Sequence, residues 1–168
     1  MFRTIAINFL LSAFLPAMFA CGKAPDPVKP DPVRTEQGGE QEDKNDTAMP
    51  ETIKISVSGK TLPVKIEHNA AVEALIAALR EAPITYKAHD YGGFEKVGAL
   101  GRTLPASDTQ ITTKEGDVIL YSGNQIVLFY GSNSWSYTRL GRMQYESLDE
   151  LKSFLKAGEG DISVTLSL

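Results

Sequence analysis

The chain has 168 residues, a single cysteine and a formal net charge of −4. Its acidic and basic side chains are intermixed with no basic stripe, which argues against a nucleic-acid partner. One cysteine excludes an intrachain disulfide, so an apolar core must hold any fold unaided.

Arg3 precedes a mostly apolar run, Ile5 to Phe19, that ends at Ala20 before Cys21. The run is short and interrupted for a transmembrane helix and has the layout of an export signal. The position of Cys21 is similar to that of the lipidated cysteine of bacterial lipoproteins. Of the three residues that precede it, Met18, Phe19 and Ala20, only Ala20 fits the usual box well. The alternative is an ordinary secretory signal cleaved near Ala20, with Cys21 an incidental thiol. Both readings make the protein exported. The first makes it a membrane-anchored lipoprotein of the bacterial cell envelope, with residues 1–21 as its signal.

Residues 22–50 are rich in Pro, Asp, Glu, Lys and Gln and nearly free of large apolar side chains. Such a composition buries too little surface to offset chain entropy, so the segment is expected to be disordered. Pro25-Asp26-Pro27 and Pro30-Asp31-Pro32 would stiffen it into an extended tether.

Residues 51–168 carry every periodic apolar segment and are expected to form one domain. Ile53, Ile55 and Val57 alternate with polar residues, Gly59-Lys60 turns the chain, and Leu62, Val64 and Ile66 alternate on the return. Pro63 cannot donate to a ladder and suits an edge. Asn69 is a helix cap before Val72, Leu75, Ile76 and Leu79, with Pro83 just beyond the helix. Ile84 to His89 is a further candidate strand, 90–98 reads as a glycine-rich loop, and 103–115 reads as irregular. The apolar runs 118–122 and 125–130 flank Gly123-Asn124, a pair suited to a two-residue hairpin turn. Ser147 and Glu150 form a capping box ahead of Leu148, Leu151, Phe154 and Leu155, and Gly158 is placed to stop that helix. Ile162, Val164, Leu166 and Leu168 alternate as a last strand. Mostly strands, with one helix near each end of the domain, suggests a barrel whose closure protects its strand edges.

Several motifs stand in order: Asp90-Tyr91-Gly92-Gly93-Phe94-Glu95-Lys96-Val97-Gly98, Leu104-Pro105, Asp108, Ile111, Gly116-Asp117, and the run from Tyr121 through Gly141. In these the domain resembles the bacterial cyclophilin-like fold proteins, small barrels shaped like the prolyl isomerase cyclophilin. The resemblance spans nearly all of 51–168 and implies a mainly β, closed cyclophilin-like barrel with two short helices. It does not imply isomerase activity. The cyclophilin pattern of Phe-His-Arg-Val-Ile, then Gly-Phe-Met and Gln-Gly-Gly-Asp, is absent. In that enzyme the arginine acts on the prolyl nitrogen beside an apolar ring pocket.

Tyr91, Phe94, Tyr130, Trp135, Tyr137 and Arg139 are the candidate lining of one cleft, since aromatics offer large contact area and Arg offers planar recognition. The competing reading packs Phe129 and Tyr130 in the core, because both sit in a continuous apolar run, and pairs Arg139 with a nearby acid. The Tyr91-Gly92-Gly93-Phe94 segment would let a ligand approach its backbone, or would simply turn. His68 and His89 lack metal-ligand spacing and read as surface residues, so no metal site is expected. No Ser/His/Asp set stands out. Glu95 and Asp117 are candidate paired carboxylates, although a turn explains Asp117 better. No phosphate loop or dinucleotide fingerprint is present, and no cofactor is expected. The leading expectation is a binding module for a peptide or small ligand, held at a membrane by its lipid. A prolyl isomerase of the cell envelope and a structural accessory lipoprotein are the alternatives. An open groove beside Trp135 and Arg139 would favour the first two over the third.

Overall fold

The computed structural model describes residues 48–168. The expected signal, Cys21 and most of the 22–50 tether lie outside the described residues. Among these residues the elements run β1 (Thr52–Val57), β2 (Lys60–Ile66), α1 (Ala70–Glu81), β3 (Ile84–Tyr91), β4 (Glu95–Ala99), β5 (Thr109–Thr112), β6 (Asp117–Tyr121), β7 (Gln125–Phe129), β8 (Ser134–Met143), α2 (Leu148–Phe154) and β9 (Ile162–Ser167). The strands are ordered β2-β1-β9-β3-β4-β7-β6-β8, and β8 pairs back onto β2 through Val64↔Met143 and Ile66↔Gly141. That seam closes an eight-stranded barrel in which every pairing is antiparallel. Closure leaves the eight strands no open edge in the ladder. β5 lies outside it, added to the N-terminal end of β8.

The alternation read in the sequence is the alternation of the wall. Ile53, Ile55, Val57, Val64, Val164 and Leu166 point into one core cluster, and polar residues between them face out. Both helices lay their apolar faces on the same cluster, through Val72, Leu75, Ile76 and Leu79 of α1 and Leu151 and Phe154 of α2. The caps form as expected. Asn69 Oδ1 accepts from the Val72 amide at 3.0 Å, and Ser147 Oγ accepts from the Glu150 amide at 3.2 Å. The Glu150 carboxylate reaches back one residue further than a capping box requires, to the Glu146 amide.

Five local expectations are corrected. The central hairpin turns through Ser122 and Gly123, both at positive φ, and its loop holds three residues because Tyr121 pairs with Gln125. The first hairpin likewise turns at Ser58-Gly59, one residue earlier than expected. α2 ends at Phe154, and Lys156 takes the left-handed position just past its cap, ahead of Gly158. Residues 90–98 are no open loop: Gly92 and Gly93 make a tight turn at positive φ, and the chain at once becomes β4. β5 is likewise a strand within the stretch read as irregular.

β6 and β7 are buried on both faces. Their inward residues, Val118, Leu120, Ile126 and Leu128, belong to the barrel core. Their outward residues Ile119, Val127 and Phe129 join Tyr137 in a second apolar cluster on the outside of the wall. This explains the uninterrupted apolar runs, and it locates the part of the surface that is not merely solvated.

β4 carries a cation into the interior. Lys96 is wholly buried, and its Nζ lies 2.7 Å from Asp90 Oδ2 and donates to the Gly160 carbonyl at 2.6 Å. Asp90 also accepts from the Tyr130 hydroxyl at 3.0 Å and from the Gly158 and Gly160 amides at 3.1 and 3.0 Å. One carboxylate therefore joins the β3–β4 hairpin to the connection between α2 and β9. Partial burial pushes the Asp90 carboxyl up, but Lys96, the two glycine amides and the Tyr130 hydroxyl outweigh it and hold the group down at about 2.

Candidate functional site

Side chains alternate along β4, so with Lys96 and Gly98 turned inward, Glu95 and Val97 face outward. Gly98 is needed there. A methyl group on it would collide with the Lys87 carbonyl oxygen and the Tyr86 ring. Register sets Glu95 opposite Phe129 and Val97 opposite Val127 of β7, while Ile119 of β6 flanks Val127 from the other side. The N-terminal half of β8 runs past its pairing with β6 and pairs with β5 instead, Tyr137 against Thr109 and Trp135 against Ile111. These strands together form a cleft of about 370 Å³ lined by Tyr91, Glu95, Val97, Tyr121, Gln125, Val127, Asn133, Trp135 and Tyr137.

The aromatic lining is ordered by edge contacts. Tyr137 meets Tyr121 and Phe129 in T-shaped pairs, each with centroids 5.9 Å apart, and its hydroxyl accepts from Asn133 Nδ2 at 3.0 Å. At the rim, Trp135 and Tyr91 keep 56% and 62% of their surface exposed, unlike every other aromatic of the described residues. Glu95 is the carboxylate of the lining. It is 5% exposed, and its Oε2 has no hydrogen-bond partner among the described residues. Desolvation among apolar neighbours pushes its carboxyl up to about 7. Tyr137 is also pushed up, first by burial and then by the nearby Glu95 charge.

Of the six candidate lining residues, the structure brings together Tyr91, Trp135 and Tyr137. Phe94 stands beside them without lining the cleft, stacked on Phe129 at 6.3 Å with 7° between the rings. Tyr130 belongs to the barrel core, where its hydroxyl meets Asp90 and burial and that carboxylate push it up to about 12. Its place follows from the pleat, which continues past β7 and sends alternate side chains inward. Arg139 is also absent from the cleft. Its guanidinium pairs with Asp117 at 2.6 Å and lines a separate depression of about 350 Å³ with Glu67, His68 and Asn69. Asp117 is wholly buried, accepts from the Lys114 amide at 2.9 Å as its turn requires, and draws Arg139 away from the aromatics. The pairing of Glu95 with Asp117 does not occur; each carboxylate has its own surroundings. Sequence reasoning missed Tyr121, Gln125 and Asn133, and undervalued Glu95. Alternation along 95–99 was the signal for Glu95, hidden by the reading of that stretch as a loop.

A comparison with functionally curated proteins yields no match. Solved structures similar to this chain include that of the hypothetical protein AF2241 from Archaeoglobus fulgidus, at 19% identity and a TM-score of 0.47, covering 69% of this chain and 92% of that one. The family model described as the Cyclophilin-like family matches residues 55–167, from β1 to the end of β9, so the chain belongs to the Cyclophilin-like family.

Proposed function

We propose that the outer-wall cleft is a recognition site for a small ligand or a peptide side chain, presented by an exported domain anchored at Cys21. One observation carries the reading: an apolar cleft of about 370 Å³ whose rim leaves Trp135 and Tyr91 more than half exposed. Large aromatics left open beside a concavity are how binding surfaces gain contact area at little cost in side-chain entropy. The groove lies beside Trp135 but not beside Arg139. It offers a carboxylate where prolyl isomerisation would need a guanidinium facing the amide nitrogen, so binding is preferred to that catalysis.

Trp135 is the sole tryptophan of the chain and reports directly on its own site. A fragment and short-peptide library, followed by Trp135 emission and by thermal shift, should yield ligands that change both. Tyr91→Ala should weaken them about tenfold, the scale of one lost aromatic contact, with little change in Tm. A library in which nothing perturbs Trp135 emission would overturn the reading. The anchor is tested separately. Cys21→Ser should move the expressed protein from the detergent phase to the aqueous phase, since a lipid chain supplies the membrane affinity. Identical partition of the two proteins would reject it.

A further inference from the structure

We propose that the cleft selects a primary alkylammonium group, as on a lysine side chain or a free alkylamine, with Glu95 as its counter-ion and the tyrosine and tryptophan rings around its stem. This rests on the cleft being a binding site and adds the chemistry of its occupant.

The charge balance is the first argument. Among the described residues, no lysine, arginine or histidine lines the cleft. Lys96, the neighbour of Glu95 in sequence, is turned through the wall and committed to Asp90. The cations of β8 are committed elsewhere: Arg139 lies 2.6 Å from Asp117, and Arg142 donates to the Glu115 carbonyl at 2.9 Å. The titratable groups that share the cleft with Glu95 are Tyr91 of β3, Tyr121 of β6 and Tyr137 of β8, while Tyr130, on the core side of the wall, senses its charge from behind. No phenol can carry positive charge, so none of them is a counter-ion for the carboxylate. A buried carboxylate with an unpartnered oxygen and only such neighbours is complemented by an incoming cation and repels an anion.

The walls are the second argument. Tyr91, Tyr121, Trp135 and Tyr137 present four π-systems to one small cavity. Ring faces attract cations, and most strongly where water is excluded. Val97 and Val127 supply apolar surface for a methylene stem, and the amides of Gln125 and Asn133 supply polar groups at the opening. The third argument is the missing donor. Glu95 Oε2 lacks an N–H or O–H partner. A primary ammonium brings three donors, whereas a quaternary ammonium brings none and a neutral alcohol brings no charge.

Binding to the full chain is followed by Trp135 emission and by calorimetry, using pentylamine, 1-pentanol and pentanoate, five-carbon probes that differ in the head group. At pH 8 pentylamine should bind about tenfold or more tightly than 1-pentanol, and pentanoate more weakly still. The preference for the amine should shrink severalfold at pH 6, where Glu95 takes up a proton and the amine remains charged. In Glu95→Gln the preference should vanish while 1-pentanol binding persists. Nα-acetyl-lysine amide distinguishes the source: tighter binding than pentylamine points to a lysine of a peptide, and weaker binding to a free amine. Equal binding of amine and alcohol, or a preference that survives both pH 6 and Glu95→Gln, would overturn the ammonium assignment and leave the cleft as a binding site. Failure of every probe to alter Trp135 emission would overturn the ammonium assignment as well, and the wider library would then decide on the cleft itself.

Discussion

Asp90→Asn is expected to destabilise the domain by about 3 kcal/mol, seen as a lower urea midpoint at pH 7. Lys96 is wholly buried, and Asp90 is its carboxylate partner at 2.7 Å. Removing that charge leaves a buried ammonium without its counter-ion, held only by neutral acceptors, the Gly160 carbonyl and the amide oxygen of the new side chain. Breaking one side of a buried pair typically costs about 3–5 kcal/mol, and the lower end applies because Asp90 keeps 21% of its side-chain surface in contact with water. The substitution also weakens acceptance from Tyr130 and from the Gly158 and Gly160 amides, which anchor the connection between α2 and β9. Combining it with Lys96→Met should recover most of the loss, because the unpaired charge is then gone. An unchanged midpoint in the single variant would show that water already supports Lys96. The pair also sets acid sensitivity. Asp90 titrates at about 2, below its usual 3.8, so its contribution is complete above pH 4 and fades as pH falls toward 2.

Glu95→Gln should act in the opposite direction, raising stability by about 2–3 kcal/mol at pH 8 and by almost nothing near pH 4. The folded protein holds the Glu95 proton up to about pH 7, while the unfolded chain releases it near 4.5. Between those values the native state binds more protons, so stability falls as pH rises through the window and levels off above it. Glutamine keeps the shape of the protonated acid and cannot ionise, so the variant should lose this slope. Thermal melts of both proteins from pH 4 to 8 give the result, and parallel curves would reject the account. A charge that weakens the fold at neutral pH while lining an aromatic cleft is the pattern expected where stability is exchanged for recognition.

The two tests meet at one dipeptide. Glu95 and Lys96 are adjacent, and the pleat sends one carboxylate to the outer cleft and one ammonium through the wall to Asp90. Neither destination depends on the side chain's own preference. Both follow from β4 being a strand of a closed barrel with a second cluster on its outer face.

What was legible in the sequence was local. The alternation of Ile53, Ile55 and Val57 against Leu62, Val64 and Ile66, the Asn69 and Ser147 caps, and the apolar faces of both helices are set by periods of two and 3.6 residues and by side chains that reach their own backbone. The motif order from Asp90 to Gly141 carried the family resemblance, and with it barrel closure. What the sequence left open was which side of the wall counts as inside. β7 is apolar on both faces, so Tyr130 and Trp135 look alike as aromatics, yet one fills the barrel and the other is 56% exposed. β4 begins directly after a Gly-Gly turn and is only five residues long, so its alternation was too brief to declare itself. Arg139 was settled by a wholly buried Asp117 on a neighbouring strand, 22 positions earlier in the chain. These outcomes depend on strand pairing between distant segments, and pairing decides which desolvated groups find a partner and which, like Glu95, do not.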